Sequence, residues 1–152
     1  MTGTFLTRLR FRLSLWLNAR LLPLQLWRDR PLTDVLSLAD AAPVGCYAGL
    51  SEAYVLKRVL RTTRRPILMR DRRCLRQGVL AFKFMNAAGH KSELHFGVDR
   101  GSVAGLVTAH CWLVHDGKVV LNPPDPGIVP ILIHSPDAPG KPVAYANGDN
   151  RS

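Results

Sequence analysis

The hydrophobic pattern changes its period once, near residue 90, and that change limits the fold more than any single motif. Before it, apolar residues recur at three- and four-residue steps, the spacing of one helix face. Leu6, Leu9, Leu13, Trp16, Leu17, Leu21 and Leu24 form the first such run, which Pro23 should kink or end. A loop follows through "DAAPVGC". "YAGLSEAYVLKRVLRTTRR" reads as a second helix, with Leu50, Tyr54, Leu56, Val59 and Leu60 as its apolar positions and Pro66 closing it. "DRRCLRQGVLAFKFMNAAG" reads as a third. Asp71 is its N-cap, which makes Arg72, Arg73 and Cys74 its first three residues. Leu75, Val79, Phe82 and Met85 supply its apolar contacts, and Gly89 stops it.

Beyond Gly89 the apolar residues alternate. "SELHFGV" is a strand, "DRGSVAG" a loop, and "LVTAHCWLV" and "KVVLN" two further strands. "IVPILIH" carries an internal proline and reads as an edge strand. Helices first and strands after them make an α+β fold. A chain of 152 residues is long enough for one core. We read a single domain over residues 1–140, helical to about residue 65 and catalytic from about 66, with residues 141–152 a flexible tail.

Charge narrows the partners. The chain has 21 Lys+Arg against 11 Asp+Glu, a formal +10, and most of the arginines precede residue 77. Such a surplus suits an anionic partner or a solvated helix surface. Arg8, Arg10, Arg12 and Arg20 are candidates to dock an acidic peptide or protein; nucleic acid is not expected. The same arginines interrupt the N-terminal apolar stretch, so no uncharged run approaches the ~18 residues of a membrane span. No small-residue cleavage site follows it, which argues against a secretory signal. A basic amphipathic helix can lie on a membrane, but a core-facing helix has the same pattern, and the core-facing reading is the one adopted. Three cysteines without a CxxC pair point to a reducing compartment, the cytoplasm.

Cys74 falls in the first turn of a helix. Exposed N–H groups and the helix dipole there favour an anion, which lowers a thiol pKa, and Arg72, Arg73 and Arg76 push the same way. The partners come from the strands. "VHDGK" fits a three-residue loop, His115-Asp116-Gly117, with glycine left-handed. Val114 then opposes Lys118, Trp112 opposes Val120, and His110 opposes Asn122, which sets the Asn122 amide beside the His110 ring. A two-residue Asp-Gly turn would shift the register by one and send Asn122 to the other face. Cys74 as nucleophile, His110 as base and Asn122 as orienter form a triad of the cysteine-protease type. Asp125 and Asp116 are rival orienters, Asp116 being better explained by the turn. His110 and Cys111 are strand neighbours that face opposite ways, so a metal site is not expected, nor any cofactor. Cys46 and Cys111 read as core residues. His90, His95 and His134 default to structural hydrogen bonds or solvent.

"CLRQGVLAFKFMNAAGHKSELHFGV" followed by "AHCWLVHDGKVVLN" resembles the transglutaminase-like domain of lasso-peptide biosynthesis B proteins. The elements are Cys-Leu-Arg and Ala-His-x-Trp-x-x-x-Asp-Gly, and the likeness covers most of the chain up to its Pro-rich tail. The resemblance implies a papain/transglutaminase-like fold and a cysteine peptidase that removes the leader of a ribosomally made precursor peptide. The core peptide would then pass to a macrolactam-forming cyclase. It matches Cys74 to the nucleophile, His110 to the base, and Asn122 to a position usually held by Asp. That departure leaves Asn122 and Asp125 open as third member. The resemblance further implies a stand-alone catalytic domain, served by a separate leader-recognition protein. The alternatives are an acyl transferase on the same residues, or a non-catalytic basic scaffold for an acidic peptide or membrane.

Overall fold

The computed structural model describes residues 2–26, 31–64, 73–99 and 109–142. Four helices come first: α1 (Thr2–Gln25), α2 (Leu32–Asp40), α3 (Glu52–Thr62) and α4 (Arg73–Ala87). Five strands follow: β1 (Ser92–Asp99), β2 (Ala109–His115), β3 (Lys118–Leu121), β4 (Ile128–Ser135) and β5 (Ala138–Pro142). They form one antiparallel sheet in the order β3-β2-β1-β4-β5. The class is α+β, as the change of period requires. The expected Asp71 cap, Arg72, the Pro66 stop, the loop from residue 100 to 105, the "LVT" opening of the second strand and residues 143–152 of the tail lie outside the described residues, while Asp99, expected to open that loop, is the last residue of β1.

α4 is the centre of the molecule. Every residue from Gln77 to Ala87 except Lys83 is buried, because the sheet covers one side and the other three helices the rest. Its buried amides are bonded: Gln77 Nε2 donates to Thr63 Oγ1 at 2.9 Å, and Asn86 Oδ1 accepts from the Ser92 N–H at 3.1 Å. Gly89 ends the helix as expected. Its φ of 90° turns the chain so that the His90 N–H reaches Met85 O at 2.9 Å.

α1 turns a different face inward from the one expected. Phe11, Leu15, Ala19, Leu22 and Leu26 are buried, whereas Leu6, Leu9, Leu13, Trp16, Leu17, Leu21 and Leu24 are exposed. Both sets have helical spacing, so the period could not choose between them. Ring packing does: Phe11 sits 5.4–5.8 Å from the rings of Tyr47, Tyr54 and Phe84. The helix runs through Pro23 and ends two residues later.

Two further elements differ. α2 was not expected, although Leu32, Val35, Leu36 and Ala39 have the helical spacing; the last three are buried. β4 is not an edge strand, since β5 pairs with its outer side. Pro130 is accommodated at a bulge: Phe96 pairs with Leu132 and Gly97 with Pro130, leaving Ile131 as the extra residue. His134, buried in β4, ties the layers together. Its Nδ1 accepts the Gly140 N–H at 3.1 Å, so Nε2 carries the hydrogen and donates to Asp40 Oδ1 at 2.8 Å.

Candidate active site

Cys74 is the second residue of α4 and Gly78 lies one turn beyond it on the same side. That side is pressed against β2. A methyl group placed on Gly78 would come within 2.6 Å of Cys111 Sγ and 3.1 Å of Leu94 Cδ1. Only glycine permits so close an approach of helix and strand. It brings the start of α4 to the start of β2, where His110 stands next to Cys111.

The β2–β3 hairpin that brings in the third residue differs from the expected one. His115 pairs with Lys118, so the loop holds only Asp116 and Gly117, both with positive φ (48° and 72°). This is the two-residue turn that Asp-Gly favours, and its twist matches that of the strands. A flat continuation would have carried Asn122 to the wrong face. Instead Val114 pairs with Val119 and Leu113 with Leu121, so Val120 is a bulge that moves the register by one. Asn122 then leaves the strand in a left-handed conformation (φ 52°), which asparagine tolerates better than most residues.

That bend delivers Asn122 to the site, but not through the expected contact. Its backbone carbonyl lies 3.0 Å from His110 Nε2, and its side-chain Nδ2 donates to the Cys74 carbonyl at 3.2 Å. The ring is therefore oriented by the main chain. A carbonyl only accepts, so Nε2 carries the hydrogen and Nδ1 of the neutral ring holds the free lone pair. Trp112, two residues along β2, stacks on the His110 ring with centroids 6.1 Å apart and planes 23° from parallel.

Cys74 and His110 share the wall of a cleft of about 440 Å³ with Leu32, Leu75, Phe96, Gly97, Ala109, Cys111 and Ile131. Its lining is mainly apolar, with these two reactive side chains set into it. Gly97 is the β1 partner of His110. A side chain there would meet Ile128 Cγ2 and Val129 O at 2.7 Å and Trp112 Cη2 at 2.9 Å. Gly97 and Ile131 were not singled out by the sequence reading, and Trp112 entered it only through the Ala-His-x-Trp element and the expected pairing with Val120. Strand alternation could have grouped Trp112 with His110, but nothing local marks a cross-strand glycine or a bulged isoleucine.

The other candidates fall elsewhere. Asp125 is exposed, its carbonyl accepts from the Ile128 N–H at 2.9 Å, and its carboxylate makes no hydrogen bond to His110. Asp116 belongs to the turn, as expected. Cys111 is buried, and burial pushes its thiol well above the ordinary range, with Cys74 nearby adding to the rise. Cys46 is a correction: it is exposed rather than in the core, although local packing still raises its thiol. His90 Nε2 faces Leu50 O at 2.6 Å and His95 Nε2 faces Glu93 Oε2 at 3.0 Å, both structural contacts. Among the described residues no three His, Cys, Asp or Glu side chains converge as a metal site. Nor is any described helix long and apolar enough to cross a membrane.

Residues 6–128 match the family model described as "Transglutaminase-like superfamily". No curated protein and no solved structure matches the chain.

Proposed function

This chain belongs to the transglutaminase-like superfamily, and we propose that it is a cysteine peptidase that removes the leader from a ribosomally made lasso-precursor peptide. The observation that carries the reading is the shared cleft. A cysteine in the first turn of α4 and a histidine with its Nε2 tied to a carbonyl line one apolar pocket. In the reaction, His110 Nδ1 takes the Cys74 proton and the thiolate attacks the scissile carbonyl carbon. The N–H groups of the first turn of α4, that of Cys74 among them, have no carbonyl within the helix to bond. They are available to the oxyanion. The imidazolium then protonates the leaving amine as the C–N bond breaks, giving the acyl-enzyme. Water, deprotonated by His110, releases the carboxylate product and restores the thiol.

The precursor, a separate leader-recognition protein and a downstream cyclase are partners proposed on the motif resemblance, as is a cytoplasmic setting. The test is incubation of the purified protein with a candidate precursor and its leader-binding partner, read by mass spectrometry. Cleavage at one bond that is lost in Cys74→Ala is the expected result. A product carrying an added amine would mark acyl transfer instead, and an intact precursor would overturn the reading.

A further inference from the structure

Two features of the helical layer play no part in that chemistry. The first is the outward face of α1, where the eight large apolar side chains from Phe5 to Leu24 are 43–68% exposed. At the helical rise they span about 30 Å. A continuous stripe of that length differs from the scattered apolar residues of an ordinary surface. From Phe5 to Leu24 the 100° step per residue places Thr7, Ser14 and Asn18 off this face, so no uncharged polar side chain interrupts it.

The second feature is charge. Between α1 and α3, Arg12, Arg20, Arg58 and Arg61 line a pocket of about 250 Å³. The Arg20 guanidinium carbon sits over the Trp16 ring, 3.6 Å from its centroid, and both residues belong to stripe and pocket alike. A neighbouring pocket of about 560 Å³ shares Arg61 and adds Lys57, Arg64 and Arg73. Among the described residues none of these seven cations has a carboxylate partner, and α1 contains no acidic residue. Like charges gathered without counter-charges are relieved by an anion.

We propose that this surface docks on a bilayer containing anionic phospholipid, with the α1 stripe at the acyl boundary and lipid phosphates at the arginine pocket. The stripe supplies hydrocarbon contact. Arg10 and Arg12 fall on its opposite flanks and can reach outward to headgroups while their stems stay on apolar surface. A protein interface of this length carries uncharged hydrogen-bonding groups in its core, whereas the only polar side chain within this stripe is Arg20, its guanidinium on the Trp16 ring. A lipid surface needs only phosphates, for Arg20 and for the arginines at the rim. The helix lies along the surface and does not span it. The proposal does not depend on the peptidase reading.

The experiment is co-sedimentation of the full chain with vesicles of phosphatidylcholine alone and of phosphatidylcholine with one third phosphatidylglycerol. Binding is expected to the mixed vesicles, to weaken with salt, and to be weak on phosphatidylcholine alone. Leu13→Asp with Leu17→Asp should lower binding about tenfold or more, since both side chains lie on the stripe. Arg58→Glu with Arg61→Glu should remove the preference for anionic lipid. Circular dichroism and thermal unfolding check that both variants keep the fold, Leu13, Leu17 and Arg61 being exposed and Arg58 half-buried. A protein that stays in the supernatant with both vesicle types overturns the proposal. So does vesicle binding that neither pair of substitutions alters. A dimer in solution that the leucine pair breaks, without vesicle binding, would overturn it in favour of a second copy of this chain.

Discussion

α4 and α1 are the longest described helices, and both carry apolar residues round most of their circumference. α4 is enclosed from Gln77 onward, whereas α1 buries only the stripe from Phe11 to Leu26 and leaves its other stripe exposed. Apolar character alone does not distinguish these cases. What does is the remaining composition of each helix. The buried run of α4 contains a glycine at a tight contact, two bonded amides and a single lysine. α1 carries four arginines and no buried amide; Arg10 and Arg12 border the uncovered stripe and Arg20 lies within it on the Trp16 ring. Charge placement, more than the count of leucines, marks the face that the core does not take.

The largest expected effect is at the open end of α4. Cys74→Ala should cut cleavage by about a thousandfold or more with little change in stability, because a half-exposed thiol is lost from the cleft and not from the core. Cys46→Ala, at an exposed site away from the cleft, should cleave like the parent chain. Comparable losses in the two variants would end the assignment of the nucleophile.

Next come the two faces of α1. Phe11→Ala should cost about 3–5 kcal/mol in denaturant unfolding, because three aromatic neighbours lose their partner. Leu13→Ala on the exposed stripe should stay within about 0.5 kcal/mol. Equal costs would mean that the outward face is covered in the folded protein.

The contact between α4 and β2 should be sensitive but not fatal. Gly78→Ala places a methyl group against Cys111 Sγ and should cost about 1–3 kcal/mol by overpacking. Because the helix must move off the strand that carries His110, kcat should fall as well. A stable variant with normal turnover would show that the approach of helix and strand does not set the site.

The smallest effect tests the source of the imidazole's acceptor. Asn122→Gly keeps the left-handed bend and the carbonyl but loses the bond to Cys74 O, and should lower kcat by about tenfold or less. A loss as deep as that of Cys74→Ala would assign the orienting role to the side chain.

The fold class was legible because one change of period separates helices from strands. The helix stop at Gly89 was legible because one glycine with positive φ decides it. α1 was misoriented because Phe11–Leu26 and Leu6–Leu24 are equally periodic, and only tertiary ring packing separates them. β4 was demoted to an edge by Pro130, whose tolerance depends on a bulge that no local signal announces. At the site, Cys74 and His110 were marked by helix position and motif, and both line one cleft. The hairpin was misread by one residue, and the Val120 bulge then displaced the register by another. Asn122 thus reached its neighbours for a reason other than the expected pairing.

The hydrogen bond from His110 Nε2 to the Asn122 carbonyl has a consequence for mutation and drift. An acceptor supplied by the main chain is written in no codon, and every replacement at position 122 still presents it. What the position demands is a residue that accepts φ near 52° without strain. Glycine, asparagine and aspartate meet that demand most easily. The exchange of Asp for Asn lies inside this set. A substitution that would strip the partner from a side-chain triad here leaves the imidazole held, and heritable variation at residue 122 is filtered by backbone tolerance before it is filtered by charge.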